Sequence, residues 1–252
     1  MPVRCFLSPE AWPDGPEVRL AGREAHHLAR VLRVRKGDPV LCFDGRGREM
    51  ECAVWEAGVG RVLLRAGRVR EVPPLPWEVS LGVAVPGQGK LEEIVNSSTQ
   101  MGVVHLFPLL TERTVVRFTR ERFEKKRDHL RQVAVEAAKQ SGAARLPEIH
   151  PITPWQKFLP AFSGYEKVFL GAVEGPHEDW RSLLSAPWGC AYPKILLLIG
   201  PEGDFSPGEI RQAVAGGARP VSLGPSVLRC ETAVTASLSI LFFLLRESPR
   251  AR

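Results

Sequence analysis

The C-terminal two-thirds of the chain alternates continuous apolar runs with amphipathic stretches, and this alternation constrains the fold more than any other feature. The apolar runs predict strands at residues 79–85, 103–110, 168–172, 195–199 and 221–223. The amphipathic stretches predict helices at 91–101, 120–140, 207–215 and 232–245. Strands without a polar face lie in a sheet that helices cover on both sides. The pattern therefore predicts an α/β domain with a mostly parallel sheet.

The first 70 residues or so have a different pattern, in which short apolar stretches alternate with turn residues. Short strand candidates at 39–43, 49–55 and 61–66 are separated by glycines, with Asp44-Gly45 as a turn signal, and helical spacing between Glu24 and Arg33 predicts one short helix. This pattern indicates a small β-barrel-like domain. The segment Val72-Pro73-Pro74-Leu75-Pro76 stiffens the chain after it. We therefore expect two domains, at residues 1–72 and 73–252.

Charge and cysteine usage limit the classes of function. A formal charge of +6 favours a polyanionic partner such as nucleic acid. Five cysteines without a C-x-x-C pair indicate neither a disulfide framework nor a zinc knuckle, and the six histidines show no ligand spacing such as H-E-x-x-H, so no metal is expected. The start lacks the apolar run of a signal peptide, and the run 240–245 is too short to span a bilayer. These features predict a cytoplasmic protein.

Two loops rich in glycine and proline follow two of the predicted strands. The strand 195–199 ends in Gly200-Pro201-Glu202-Gly203, after which Ser206-Pro207-Gly208-Glu209 has the pattern of a helix capping box. The last strand opens into a second Gly-Pro loop at Gly224-Pro225. Open α/β folds bind ligands at the carboxyl ends of their strands, so we expect the two loops to form one pocket.

A phosphate-binding loop is the competing interpretation of another glycine-rich segment. Gly82, inside the predicted strand 79–85, and Gly87-Gln88-Gly89-Lys90 after that strand have the glycine spacing of a P-loop. However, the lysine does not directly follow the second glycine of the motif, and Leu91 replaces the Ser or Thr that binds magnesium. This pattern therefore does not favour an NTPase.

The loop sequences resemble those of a known family. Leu-Ile-Gly-Pro-Glu-Gly at 198–203 and Leu-Gly-Pro-x-x-Leu-Arg-x-Glu-Thr-Ala at 223–233 are similar to motifs of the ribosomal RNA small subunit methyltransferase E family, in the SPOUT superfamily. Further matches, in the same order along nearly the whole chain, are Glu-Ala-His-His-Leu at 24–28, Val-Leu-Arg at 31–33, Lys-Gly-Asp at 36–38, Phe-Asp-Gly-x-Gly at 43–47, Thr-Glu-Arg at 111–113 and Glu-Ala-Ala-x-Gln-Ser-Gly at 136–142.

The resemblance implies a fold and a reaction. It implies a PUA-like N-terminal RNA-binding β-barrel domain and a C-terminal SPOUT α/β domain whose parallel sheet contains a deep trefoil knot. Members are homodimers that use S-adenosyl-L-methionine to methylate N3 of a uridine in 16S ribosomal RNA, expected at nucleotide 1498, on the free RNA or in the 30S subunit. Three positions depart from the family pattern, namely Asp204 in place of glycine, Ser226 in place of arginine and Gln100-Met101 in place of Glu-Leu. The alternative is a non-catalytic RNA-binding protein with a degenerate SPOUT domain.

The resemblance assigns the candidate cofactor-binding residues, and side-chain chemistry and charge clustering assign the catalytic and RNA-binding ones. Arg229 is the candidate for stabilising an anion or gripping phosphate, and Glu231 for accepting a proton or orienting that arginine. The expected cofactor-binding residues are Leu170, Gly171, Glu174, Ile199, Gly200, Pro201, Glu202, Gly203, Leu223, Gly224, Pro225, Val227 and Leu228. The expected RNA-binding residues, chosen as a basic cluster, are Arg4, Arg23, Arg30, Arg33, Arg35, Arg113 and Arg117.

Overall fold

The computed structural model describes residues 2–58, 60–87, 89–115, 120–172, 176–185 and 190–247. The chain forms two compact units. The first consists of Met1–Pro74 with Val135–Leu146, and the second of Leu75–Ala134 with Pro147–Arg252. The first break in the chain between units falls within the proline-rich segment. Residues 135–146 join the first unit, which the sequence did not indicate, and the domain bounds 1–72 and 73–252 stay a prediction.

The first unit is built on a five-stranded sheet in the order β1-β3-β4-β5-β2. Its strands are β1 (Val3–Phe6), β2 (Glu17–Ala21), β3 (Pro39–Phe43), β4 (Arg48–Gly58) and β5 (Arg61–Glu71). β1 and β3 are parallel, and the other pairs are antiparallel. The predicted helix is present as α1 (Gly22–His26), which continues into a π-helical turn (His27–Val31) and buries Ala25 and Leu28 against the sheet's core.

The second unit contains a seven-stranded sheet in which every pairing is parallel, as predicted. Its main path is β12-β10-β11-β6-β7-β8, and β9 pairs with β7. The strands are β6 (Glu78–Ala84), β7 (His105–Leu110), β8 (Glu148–Ile149), β9 (Thr153–Pro154), β10 (Lys167–Gly171), β11 (Lys194–Ile199) and β12 (Ala218–Val221). β12 ends earlier than predicted, so Ser222 and Leu223 belong to the following loop. Because β12 is at the edge of the sheet, it can include Pro220, which lacks a backbone donor.

Helices α2 to α7 complete the fold. They are α2 (Lys90–Gln100), α3 (Arg120–Ser141), α4 (Trp155–Phe158), which continues as a 3-10 helix (Leu159–Gly164), α5 (Trp180–Ser185), α6 (Pro207–Ala215) and α7 (Cys230–Glu247). The four long helices match the predictions within about two residues at each end. α7 buries Val234, Leu238, Leu241 and Leu245 at helical spacing.

Tryptophans contribute to the core of the second unit. Trp155 and Trp180 are buried, whereas Trp188 lies outside the described residues. No helix within the described ranges is both long and apolar enough to cross a bilayer.

Candidate active site

Three strands of the parallel sheet end at one level. Gly171, the last residue of β10, is the register partner of Ile199 on one side and of Val221 on the other. The loops that follow these strands therefore leave the same edge side by side. Together they line a cleft that surrounds an open volume of about 680 Å³, part of which is continuous with solvent.

The cleft is formed mainly by the two Gly-Pro loops. Its lining comprises residues 171–172, 199–202, 204 and 222–228, with Cys230 and Ala233 from the start of α7. The expectation that the loops near residues 200 and 224 form one pocket is confirmed. Most of the lining is apolar side chain or backbone, and its carboxylates are those of Glu202 and Asp204. Such a lining suits an apolar ligand with a few polar or positive groups.

The first loop is closed by Asp204. Its backbone has a φ of +61°, and its N–H donates to Pro201 O at 2.9 Å. One carboxylate oxygen also accepts a hydrogen bond from Phe205 N at 2.7 Å. Asp tolerates the left-handed region better than most residues. The departure from glycine at this position therefore leaves the turn intact, as expected.

A buried carboxylate holds this loop against its neighbour. Glu209 is 5 % exposed and accepts hydrogen bonds from Ser206 N at 2.9 Å and Glu112 N at 2.8 Å, while Ser206 Oγ accepts from Glu209 N. The predicted capping box is thus confirmed. Arg113 Nη1 donates to Gly203 O at 2.6 Å. The Thr-Glu-Arg motif that follows β7 therefore braces the loop at residues 200–206.

The second loop depends on a glycine. Gly224 has a φ of +116°, which L residues rarely adopt, and its N–H donates to Ser222 Oγ at 3.2 Å. Trp180 Nε1 donates to Ser222 O at 3.0 Å and anchors the start of the loop to α5. Val227 lines the cleft and is 69 % exposed, so its apolar surface is available to a ligand.

Charged residues gather where α7 begins beside the cleft. Glu231, in the first turn of α7, pairs with Lys90 at the start of α2, and Gly87 N donates to Glu202 Oε1 at 3.1 Å. Burial raises the pKa of Glu231, but the hydrogen bond from Lys90 and the charges of Lys90 and Arg229 outweigh it, so the net pKa is lowered. Glu231 is consequently ionised at neutral pH and is a weak base.

The thiol in the lining is unreactive. Burial, together with the charges of Glu202 and Glu231, raises the pKa of Cys230 to about 12. A thiol at neutral pH is a poor nucleophile. Cys230 therefore stays protonated at neutral pH.

Comparison with known proteins agrees with this arrangement. Residues 73–242, more than half of the chain, match the RNA methyltransferase domain family, and residues 20–65 match the RNA methyltransferase PUA domain. A protein of Synechocystis named ribosomal RNA small subunit methyltransferase E is 32 % identical over 97 % of this chain and 78 % of its own length. The chain belongs to the ribosomal RNA small subunit methyltransferase E family. The resemblance seen in the motifs is confirmed.

Other members have similar sequences and folds. The protein of the same name in Bacillus subtilis is 27 % identical over 94 % of both chains. A solved structure, the putative methyltransferase Lpg2936 from Legionella pneumophila in complex with SAM, is 29 % identical with a TM-score of 0.85 and covers 96 % of this chain and 97 % of its own. Full-length likeness to the family establishes the mixed α/β fold with a PUA-like domain.

Most of the expected cofactor-binding residues line the cleft. Leu170 is buried one residue before it, and Gly203 lies between the lining residues Glu202 and Asp204 with its carbonyl bound to Arg113. Glu174 falls outside the described residues. Of the catalytic pair, Arg229 is exposed directly before α7, and Glu231 binds Lys90.

Lys90 is the residue that the sequence reasoning missed. It belongs to the glycine-rich segment that was weighed as a P-loop, and it pairs with Glu231 across 141 positions. The motif Gly-x-Gly-Lys after a strand is typical of a phosphate-binding helix, so it does not predict that Lys90 pairs with a residue beside this cleft.

The expected RNA-binding arginines fall into different environments. Arg30, Arg33 and Arg35 are exposed in the first unit, Arg23 is exposed and pairs with Glu136 at 3.7 Å, and Arg113 is exposed in the second unit. Arg117 lies outside the described residues.

Arg4 requires a correction. Its side chain is 6 % exposed, Nη1 binds Glu49 at 2.9 Å, Nη2 donates to Ala143 O at 2.9 Å, and the guanidinium packs 4.7 Å from the centroid of Phe43. A guanidinium buried and paired in this way does not face phosphate, so Arg4 has a structural role.

Proposed function

We propose that this chain methylates N3 of a uridine in 16S ribosomal RNA, using S-adenosyl-L-methionine as the donor. The observation that carries the proposal is the convergence of the two Gly-Pro loops on one cleft at the carboxyl edge of the parallel sheet. Family membership supports the reaction class, and the names of the relatives support the small-subunit RNA substrate. The choice of N3 rests on the family resemblance.

The cleft fits the donor chemically. Backbone N–H and C=O groups of the two loops are suited to reading an adenine edge, and Ile199, Leu223 and Val227 offer apolar surface for its faces. Glu202 and Asp204 contribute two carboxylates to the lining, and negative charge would suit the positive sulfonium and ammonium groups of the donor. The Legionella structure is a complex with this cofactor, which supports the same assignment here.

Methyl transfer requires charge control at the uridine. S-adenosyl-L-methionine, when bound, supplies an electrophilic methyl group. Uridine N3 carries a proton that must leave before its lone pair attacks, and the negative charge then spreads to O2 and O4. We assign to Arg229 the stabilisation of that charge, since its guanidinium stays ionised and offers several donors. Lys90 adds positive charge beside it.

Glu231 then serves as a positioning residue. Its lowered pKa and its bond to Lys90 leave it ionised, so it holds Lys90 at the mouth of the cleft and is poorly suited to take the proton from N3. We therefore propose that the proton leaves to solvent or to a group of the RNA.

Several finer features belong to the same proposal. RNA contacts are assigned to Arg23, Arg30, Arg33, Arg35, Arg113 and Arg117, without Arg4. The deep trefoil knot and the homodimer follow from the family resemblance and are proposed with it. The cytoplasmic location and the domain bounds 1–72 and 73–252, inferred from composition and from the proline-rich segment, are proposed as well.

The test compares donor binding with methyl transfer. Calorimetry gives the Kd for S-adenosyl-L-methionine, and mass spectrometry of nucleosides from treated 30S subunits, prepared from cells lacking the modification, gives N3-methyluridine. Arg229→Ala is expected to keep donor affinity and lose about 100-fold or more in rate. Arg211→Ala, which removes an exposed arginine from α6, is the charge-matched control.

The two measurements test the role of Arg229 and the methyltransferase activity itself. Unchanged turnover in Arg229→Ala refutes the role of that arginine. A wild-type protein that binds 30S subunits but shows no heat with the donor and forms no methylated uridine refutes the proposal and favours the non-catalytic RNA-binding alternative.

A further inference from the structure

Two histidines and a glutamate lie together on the sheet edge opposite the cleft. His105 is the first residue of β7, Glu148 the first of β8, and His150 follows β8 directly. His105 and Glu148 are register partners in a parallel pair, so the cluster lies at the amino ends of the strands. Residues 148 and 150 share one side of the extended chain because side chains alternate along a strand.

The three potential ligand atoms form a compact triangle. His105 Nδ1 is 3.1 Å from His150 Nε2 and 3.4 Å from Glu148 Oε2, and His150 Nε2 is 3.8 Å from that oxygen. Zinc bound tetrahedrally at about 2.0–2.1 Å holds its ligand atoms about 3.3 Å apart. Shifts of a few tenths of an ångström would therefore turn this triangle into one face of a zinc tetrahedron.

Neighbouring side chains fix both rings in place. Phe107 stacks on the His150 ring with centroids 4.1 Å apart and planes 16° apart. On the other side of the His105 ring, Nε2 faces Glu78 Oε1 at 3.7 Å. A carboxylate behind the second ring nitrogen is the usual support of a metal-bound histidine. Glu148 is 65 % exposed, which leaves the cluster open to an ion from solvent.

The charge around the cluster also favours a cation. Glu148 and Glu78 contribute two carboxylates, although Glu78 also faces Lys194 Nζ at 4.0 Å. The positive charge of Arg127 acts on His150 as well, but Arg127 is itself paired with Glu124. Two imidazoles and one carboxylate are a donor set that suits Zn²⁺.

We propose that His105, Glu148 and His150 bind a zinc ion, with water as the fourth ligand. The proposal departs from the sequence-based expectation of no metal, which considered only spacing along the chain, whereas these residues meet through strand pairing. The ion would join β8, which has only two residues, to β7 at the point where both strands begin. Because the cluster lies at the opposite edge of the sheet from the cleft, the proposed site is separate from methyl transfer.

The experiment uses the full chain freed of metal by dialysis against a chelator. Titration with Zn²⁺ against a chromophoric competitor gives stoichiometry and Kd, and Co²⁺ serves as a spectroscopic probe through the visible bands of a tetrahedral site. We expect one ion per chain, tetrahedral Co²⁺ bands and a higher Tm with Zn²⁺.

Variants separate the site from adventitious binding. Glu148→Gln and His150→Gln are expected to weaken Zn²⁺ binding by at least about tenfold. His129→Gln, at another histidine that faces a carboxylate, Glu92 at 3.6 Å, is the matched control and keeps wild-type affinity. Since Glu148 is exposed, its variant should fold normally, which the Tm of the zinc-free protein checks. Equal zinc affinity in all four proteins, or no zinc bound by the wild type, overturns the proposal.

Discussion

Gly224 offers a direct test of whether the backbone of the second loop matters to donor binding. It lines the cleft with a φ of +116°, and a Cβ built there meets no atom within 4 Å. The substitution Gly224→Ala therefore introduces no clash. Its whole effect is backbone strain in a conformation that alanine avoids.

The size of the effect follows from that strain. A non-glycine residue in a sparsely populated backbone region costs about 1–3 kcal/mol. The unbound loop relieves the strain by changing conformation, so donor binding must restore the strained form. At about 1.4 kcal/mol per tenfold change, the Kd for S-adenosyl-L-methionine should rise by about 5- to 140-fold.

Gly217 provides the matched control. It has a φ of +94°, a Cβ there also meets nothing within 4 Å, and it lies just after α6, outside the cleft lining. Gly217→Ala should lower the Tm and leave the Kd unchanged. Calorimetry and thermal melting of both variants give the comparison. If Gly224→Ala binds the donor with wild-type affinity, the conformation of this loop does not determine the donor site.

Two further predictions concern charged groups. Lys90→Met and Glu231→Gln should each lower the methylation rate with little change in donor Kd. Because the two residues act as one pair, the double variant should be no slower than the slower single variant. Steady-state kinetics in which the two effects multiply would contradict this. Asp44→Asn should destabilise the protein by about 1.5–3 kcal/mol in urea unfolding at pH 7, because the charge-assisted hydrogen bond from Arg48 Nε to Oδ2 is lost. The hydrogen bonds from Arg46 N and Arg48 N to Oδ1 are kept. Burial raises the pKa of Asp44, but these hydrogen bonds lower it overall, so its contribution is complete above the unfolded pKa of about 3.9 and disappears as the pH falls through the lower folded value. The variant should therefore lose less stability than the wild type on acidification, and equal losses would refute this.

Local signals account for the parts of the fold that the sequence predicts well. The capping box at Ser206 and Glu209 needs only neighbouring residues, and α6 has the predicted bounds. The apolar runs of the parallel strands are likewise continuous in sequence. By contrast, β8 and β9 have two residues each, too few for any periodicity to be visible.

Long-range pairing explains what the sequence could not provide. Lys90 meets Glu231 across 141 positions, and His105 meets His150 across 45, so neither pair has a spacing to recognise. Arg4 belongs to the basic cluster that is expected to contact RNA, but its side chain is buried. Its burial depends on Glu49, which is itself 2 % exposed and also binds Arg70, and this network arises only when β3 and β4 are paired.

The departures from the family pattern bear on whether the domain is a working enzyme. Asp204 adopts the positive φ that glycine would supply, and its carboxylate binds the next backbone N–H, so this departure preserves the turn. Ser226 is exposed in the lining, and a shorter side chain there removes a contact without requiring the loop to move. Glu209 and Arg113 also brace the loop at residues 200–206. Glu209 accepts a hydrogen bond from Glu112 N, and Arg113 donates one to Gly203 O. The departures at Asp204 and Ser226 therefore do not require either loop to rearrange, and family membership favours the methyltransferase over the non-catalytic alternative.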